Sequence, residues 1–493
     1  MKQIVAYQFL MEAVSPLYFG EAGDSVVKNS KNQPVVLGNS MGGALRQALE
    51  ETAVPRDIIL AYMGGAIEDQ EENKEFFIPS GIYISDGELS SKTELVVKEG
   101  TAIFGRYGTA EDKKKYGFEH LPEGVKLSFR IEAEVIGPSQ QVPGCKEEAD
   151  HKGDKKNELN KTEFDKLIGT WAHGIEAKTL LFGGEKSNGF GRFRLLKLER
   201  KVFPLGNSRQ LDQYLFGEGF AKEAQDWEAV DWRRLDAYPP AGKKRWLFSL
   251  TGEFPYGVYQ NFKISGKDPV VGKKNITGVQ SENEAYYIPA SSVKGLLRSE
   301  IRLLLEKMRA NAVDQKIEQL FGGREQQGKL LFSDLKLDAS RKVRVKRYKR
   351  MENGKNGGDK ASQWELREEN PVYIKIDRLT GGAYQSALKE QQEIQGKATL
   401  RCQLVLNQVL NQSEESPFVF PLVYVLRRIG AGMVPLGGRT VMGLGEFYAD
   451  EVTVKEDGKD HAIAIGTVGV SRNETEWLRR HYDAFQRWCE QGC

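Results

Sequence analysis

Two kinds of segment in this sequence carry groups suited to a phosphate chain, and each occurs twice. The first is glycine-rich: Gly183-Gly184-Glu185-Lys186-Ser187-Asn188-Gly189-Phe190-Gly191 in one half, and Gly437-Gly438-Arg439-Thr440-Val441-Met442-Gly443-Leu444-Gly445 in the other. Glycine reaches positive φ and lets backbone N–H groups come close to an anion or to a neighbouring element, so either a nucleic-acid contact or a tight structural turn follows. No Gly-Lys-Ser/Thr follows, which excludes a nucleotide-binding P-loop. A dinucleotide fingerprint is excluded too, because each loop stands at the end of a unit before a strand. The second kind is Asn39-Ser40-Met41-Gly42-Gly43-Ala44-Leu45-Arg46 and Ser291-Ser292-Val293-Lys294-Gly295-Leu296-Leu297-Arg298. Each opens a helical apolar pattern, where serine is a favoured N-cap and the positive end of the helix attracts an anion. Lys294 adds charge where the first copy has Gly42, so the first site holds phosphate less tightly. The plain alternative is ordinary capping, with Lys294 and Arg298 on an outer face. A third feature occurs once: residues 341–350, RKVRVKRYKR, hold seven Lys or Arg, among them Arg344, Lys346 and Arg347, around one tyrosine. Such a mixture can follow a phosphate backbone and stack a base, or form a solvated basic strand.

The repeats bear on the elements that must carry them. Arg46 and Arg298 are 252 residues apart and Gly183 and Gly437 are 254 apart, in the same order, which implies duplication of one unit. PSGIYISDGEL with Asp86 answers GKLLFSDLKL with Asp334, and Arg106-Tyr107-Gly108-Thr109-Ala110 answers Arg378-Leu379-Thr380-Gly381-Gly382-Ala383 at a wider offset. The widening fits an insertion across about 340–370. Each copy reads as a strand (3–13; 246–255), a long polar loop, a helix (40–52; 292–310), alternating strands, the glycine loop and a closing strand. The first copy has a second helix near 161–179. This pattern predicts an α+β fold of two tandem ferredoxin-like (RRM-like) domains, helices on one face of an antiparallel sheet and the other face free. The expected divisions are 1–200, a connector at 201–244, a second repeat at 245–455, and an extension at 456–493 ending in an amphipathic helix over 472–491.

Composition bounds the partners. The chain has 493 residues, 40% hydrophobic and 28% charged, with a net charge of +2, so bulk charge alone does not announce a nucleic acid. No stretch approaches a membrane span, and the start MKQIVAYQFLMEAV reads as a strand, not a signal peptide. Four scattered cysteines without a CxxC pair, and five histidines, favour a reducing cytoplasm and argue against zinc.

IPASSVKGLLR, LFGG followed by LLFSDLKL, IDRLTGGAY and a terminal Gly-Gly-x4-Gly-x-Gly, in that order, resemble the RAMP superfamily, above all the backbone subunits of type III CRISPR effectors. The likeness is strongest over 245–450 and diluted over 1–200. It implies ferredoxin-like cores with protruding thumb hairpins, near 98–120 and 340–390, and subunits in a row that thread crRNA and pair it with target RNA. Two units in one chain resemble the fused subunits of type III-D-like systems. Neighbouring RAMP proteins and the large subunit are the implied protein partners, and no membrane. The resemblance further implies RNA contacts at Ser40, Arg46, Arg106, Lys186, Ser291, Ser292, Lys294, Arg298, Arg378 and Arg439 and at the loop glycines. Its nuclease chemistry needs one aspartate in the loop before the first helix of each unit, which puts Asp24 and Asp268 forward, with a divalent metal (Mg2+ or Mn2+) or as a general base. Three readings stay open: a structural subunit that cuts target RNA, a scaffold that only holds the guide, and a ribonuclease that processes crRNA precursors. The third class uses a histidine near the first helix, and none of the five (120, 151, 173, 461, 481) is there.

Overall fold

The computed structural model describes residues 2–20, 25–69, 74–89, 95–104, 109–136, 159–205, 214, 227–258, 286–323, 326–342, 345–350, 364–369, 371–384, 389–390, 393–407, 415–456, 458–466 and 471–491. The chain divides into two compact units whose main spans are Met1–Lys98 with Gly117–Lys243, and Lys244–Leu406 with Leu410–Cys493.

The first part of the chain runs β1 (Lys2–Ala13), α1 (Gly38–Glu50), α2 (Arg56–Met63), β2 (Gly65–Asp69), β3 (Lys74–Ile78), β4 (Ile82–Ile84), β5 (Glu88–Leu89), β6 (Val96–Phe104), β7 (Thr109–His120) and β8 (Lys126–Ile136), of which Glu99–Tyr116, most of β6 and β7, is grouped with the second unit. α3 (Lys161–Glu176), β9 (Phe193–Pro204) and β10 (Glu228–Ala229) complete it. The sheet is antiparallel in the order β10-β9-β1-β8-β4, with β5 also on β8, while β2–β3 and β6–β7 are separate hairpins. Side chains alternate across a strand. In β1 that sends Val5, Tyr7, Phe9, Met11 and Ala13 into a core with Met41, Leu45 and Leu49 of α1 and with Phe164, Ile168, Trp171 and Ile175 of α3. The helical residues recur three or four apart, which is the spacing that makes one helix face apolar. Trp171 ties the two helices by donating from Nε1 to the Leu45 carbonyl at 3.0 Å. The opposite sheet face was expected to stand free. Instead Ala6 is fully buried there against Phe203 and Trp227, with Tyr214 alongside, so the connector returns over that face.

The second unit begins with β11 (Lys243–Val258), β12 (Tyr287–Ile288), α4 (Ala290–Lys307), α5 (Val313–Phe321), β13 (Leu330–Phe332), β14 (Leu335–Lys342), β15 (Val345–Arg350), β16 (Trp364–Glu369), β17 (Val372–Tyr373) and β18 (Lys389–Glu390). It ends with β19 (Ile394–Asn407), α6 (Val419–Gly430), β20 (Tyr448–Glu456), β21 (Lys459–Ala464) and α7 (Arg472–Glu490). Its sheet has the order β12-β14-β19-β11-β20-β21, with β13 on β19. The first strand of each unit thus lies between the strand that follows the glycine loop (β9; β20) and a long strand (β8; β19) that also carries a short pair (β4 and β5; β13 and β14). α4 and α6 supply Val293, Leu297, Ile301, Leu422, Leu426 and Ile429 to the core under Trp246, Phe248 and Leu250 of β11. α7 is capped by the Ser471 hydroxyl, which accepts from the Glu474 amide, and buries Trp477, His481, Phe485 and Trp488. Its far end is held by α5: Lys316, almost fully buried, donates from Nζ to the Gln491 carbonyl at 2.7 Å.

Candidate nucleic-acid interface

The two helix starts are built alike, and not by serine. The N-cap positions are Leu37 and Pro289, both in extended backbone and without a side-chain cap. The first amide of each helix instead meets a carboxylate from the sheet edge: Gly38 N donates to Asp86 Oδ1 and Ala290 N to Asp334 Oδ1, each at 2.7 Å. Asp86 lies between β4 and β5 and Asp334 between β13 and β14, so the short strand pairs aim the two carboxylates. In the first unit the aim is fixed further, because Gly87 N donates to the Val36 carbonyl and Ser85 N to that of Arg130. A carboxylate satisfies an orphan amide and suits the positive helix end. It also puts a negative charge where a phosphate was expected. The serine-cap expectation is therefore corrected: Ser40 is exposed on the first turn, and Ser292 N donates to the Pro289 carbonyl. Lys294 is partly exposed beside Ser291 and Ser292 on that turn.

Arg46 and Arg298 do not stand on an outer face. Arg46 donates from Nη1 to the Gly64 carbonyl at 2.8 Å and from Nε to Glu50, and Arg298 donates from Nη1 to the Gly322 carbonyl at 3.3 Å. Gly64 and Gly322 are the C-cap residues of α2 and α5, so each guanidinium sits at the negative end of the next helix. Burial, with Arg302 nearby, lowers the pKa of Arg298 from its ordinary value. Phosphate contact at either arginine would compete with these bonds.

The two glycine loops share one backbone path. Gly183, Glu185, Gly189 and Gly191 all have positive φ, as do Gly437, Arg439, Gly443 and Gly445 at the matching places. A single 3-10 turn stands between, at Lys186–Asn188 and Thr440–Met442. Phe182 N donates to the Gly191 carbonyl and Leu436 N to that of Gly445; Gly191 N donates to the Pro16 carbonyl and Gly445 N to that of Gly257. Gly184, Gly189 and Gly443 also donate to protein carbonyls. These amides are spent inside the protein, so the expected N–H cradle for phosphate is not what they form. A Cβ on Gly191 would lie 2.2 Å from the Phe182 carbonyl oxygen and one on Gly445 1.9 Å from that of Leu436, which gives the close approach that requires glycine. What the loops offer a ligand is side chains. Lys186 is half-buried and donates to Gln47 of α1 at 3.1 Å, and burial lowers its pKa. The Arg439 guanidinium lies 5.8 Å from the centre of the Tyr373 ring. Tyr373 donates to Glu393, and burial together with that bond pushes its phenol up to about 12.

Beyond Tyr373 the chain turns sharply. Ile376 bridges to Ala383, Asp377 N donates to the Gly382 carbonyl, and the Asp377 carboxylate accepts from Leu379 N at 2.9 Å. This aspartate turn, closed by Gly381 at φ 67°, lifts Leu379 to 94% exposure beside exposed Arg378. Ile374 and Ile376 are also exposed, and the Lys375 ammonium stands 4.7 Å over the Tyr384 ring. Sequence reasoning picked out Arg378 here and missed Leu379, although Asp-x-x-Thr-Gly-Gly is a turn signal that puts the intervening residues at a tip. On β15 Lys346 is exposed, and Arg347 pairs with Arg367 of β16. Asp24, Arg106, Asp268 and Arg344 lie outside the described residues. Among the described residues no three His, Cys, Asp or Glu side chains gather into a metal site, and no helix is long and apolar enough to cross a membrane.

The sequence profile of the RAMP superfamily matches this chain in two stretches, residues 10–194 and 270–448. No curated protein matches it.

Proposed function

Because this chain belongs to the RAMP superfamily, whose proteins are generally involved in CRISPR-associated RNA binding, we propose that it is a crRNA-binding backbone subunit of a type III effector, in a fused form with two ferredoxin-like repeats. The observation that carries this reading is the double match, with one loop, helix start and strand order in each half. Guide RNA runs past Ser291, Ser292 and Lys294, past Lys186, and along the basic strand at Lys346 and Arg347. The 371–384 turn is part of the second thumb. Arg378 and Lys375 meet phosphates there, and Leu379 enters the guide–target duplex as an apolar wedge, since an aliphatic tip gains from stacked bases and loses nothing to phosphate. Target choice belongs to base pairing. The chain works beside neighbouring RAMP proteins and the large subunit, in the cytoplasm.

In the same reading Asp24 and Asp268 each serve one cut. The carboxylate accepts the proton of a 2′-hydroxyl, the 2′-oxygen attacks the adjacent phosphorus and the 5′-oxygen leaves with a proton from water, giving a 2′,3′-cyclic phosphate and a 5′-hydroxyl. Alternatively, Asp24 and Asp268 would be the residues to hold Mg2+ or Mn2+, which would supply positive charge at the reacting phosphate.

The test is cleavage of a guide-matched RNA by the assembled effector, with product ends identified. Asp24→Ala and Asp268→Ala each erase one cut and leave target binding within about twofold, since base pairing and the cationic side chains carry the binding. A full set of cuts from both single variants would make the chain a scaffold. An effector that assembles and retains guide without this chain would end the backbone reading itself.

A further inference from the structure

The two glycine loops share a backbone and differ in surface. Their bonds fix the correspondence: Gly191 N meets Pro16 and Gly445 N meets Gly257, which aligns Ser15 with Tyr256. Arg194 stands opposite Glu12 in one sheet and Tyr448 opposite Glu253 in the other. The first loop is thus edged by Ser15, Ser187, Asn188 and Arg194, and the second by Tyr256, Val441, Met442 and Tyr448. Val441 is fully exposed, and Met442, Tyr256, Tyr448 and Met433 are exposed as well. Met433, Tyr448 and Tyr256 are neighbours, and Val441 and Met442 stand exposed on the loop itself. A Cβ on Gly432, next to Met433, would lie 2.8 Å from the Tyr448 ring, and the Tyr448 phenol, raised chiefly by its bond to Glu446, is raised a little further by Tyr256 close by.

Apart from Arg439 of the loop, whose guanidinium lies over the Tyr373 ring, the charge on the strands beside this patch is negative. Arg194 neutralises Glu12 through a pair of 2.6 Å, which Tyr448 cannot do for the exposed Glu253. Tyr448 donates instead to Glu446, and Asp450 and Glu451 are exposed on the same strand. Four carboxylates repel a phosphate backbone. Exposed Met and Tyr side by side, with an exposed Val on the loop and carboxylates on the adjoining strands, are instead the composition of a protein–protein contact, and such charges choose partners of opposite sign.

We infer that the second glycine loop is a docking surface for a different protein chain, one that presents apolar side chains within a Lys- and Arg-rich rim. This goes beyond the RNA-binding reading and does not depend on it. RNA contact at Gly437, Gly438, Gly443 and Gly445 is accordingly given up, while the first loop keeps its polar, RNA-facing role.

The test uses the full chain with a photocrosslinking amino acid at Val441, and in a second variant at Ser187, in cells and in the purified assembly. Position 441 yields one adduct with a distinct protein, on a peptide flanked by Lys or Arg, and position 187 does not. That protein, purified, binds the full chain with a Kd that rises about tenfold for Val441→Asp and again for Met433→Glu. Binding also weakens as salt is raised. Val441 touches nothing that the fold needs, so the first variant folds, and its melting temperature verifies this. A 441 adduct with RNA or with a second copy of this chain, no adduct, or a Kd unmoved by both substitutions overturns the inference.

Discussion

Asp86 and Asp334 each hold a helix start by one bond of 2.7 Å, and each bond also places a carboxylate at the positive end of a helix dipole. Replacing either by alanine leaves the first amide without its partner and is expected to cost about 1–2 kcal/mol. Asp→Asn at the same position keeps an oxygen acceptor and loses only the charge, so it costs less. Urea denaturation of the full chain measures both. The order Ala worse than Asn worse than wild type is expected for each aspartate, and equal loss in both variants would mean that the charge alone matters. Neither role was legible beforehand, although both aspartates stood out in a repeated Ser-Asp motif. The same is true of Arg46 and Arg298. Their partners are carbonyls 18 and 24 residues further along, and nothing local to the helix reveals them.

At the scale of elements, the glycine loops separate two uses of positive φ. Gly443 has φ 80° with nothing within 4 Å of an added Cβ, whereas Gly445 has φ 83° and a carbonyl oxygen at 1.9 Å. Gly443→Ala therefore carries only the backbone penalty, about 1 kcal/mol. Gly445→Ala carries that and a steric clash, and is expected to lower the melting temperature at least twice as far. Equal shifts would show that the backbone relaxes around the new methyl group. The loop itself was readable, because glycine spacing encodes a turn through local backbone geometry. Where its amides point was not, since Pro16, just past β1, and Gly257 of β11 reach the loops from far away in the chain. The helices and first strands were readable for the same local reason: apolar residues three or four apart in α1 and α4, and alternation from Val5 to Ala13 in β1. The return of Trp227 over Ala6 was hidden, because a small residue on a strand does not say what covers it.

For the molecule as a whole, a net charge of +2 leaves little long-range attraction for RNA, so retention rests on local cations. Each phosphate contact removed should reduce the slope of log affinity against log salt by about 0.7 for a single strand. Lys375→Ala with Arg378→Ala is thus expected to flatten the slope by about 1.4 in a filter-binding salt series, while Leu379→Ala leaves the slope alone. A slope unchanged by the double variant would remove the thumb tip from the RNA path. The repeated motif order could be read directly, since its spacing stands in the chain. The difference between the two loop surfaces became meaningful only once strand pairing had aligned Tyr448 with Arg194.

The two capping bonds have a further consequence, in time instead of space. Asp86 is 48 residues from the amide it holds and Asp334 is 44 residues from its own. Closing such a loop costs entropy that no single bond repays. The first turn of α1 or α4 must therefore wait until the short strands have joined the sheet. In each unit the capping bond is expected to form with, and not before, the docking of the short strands.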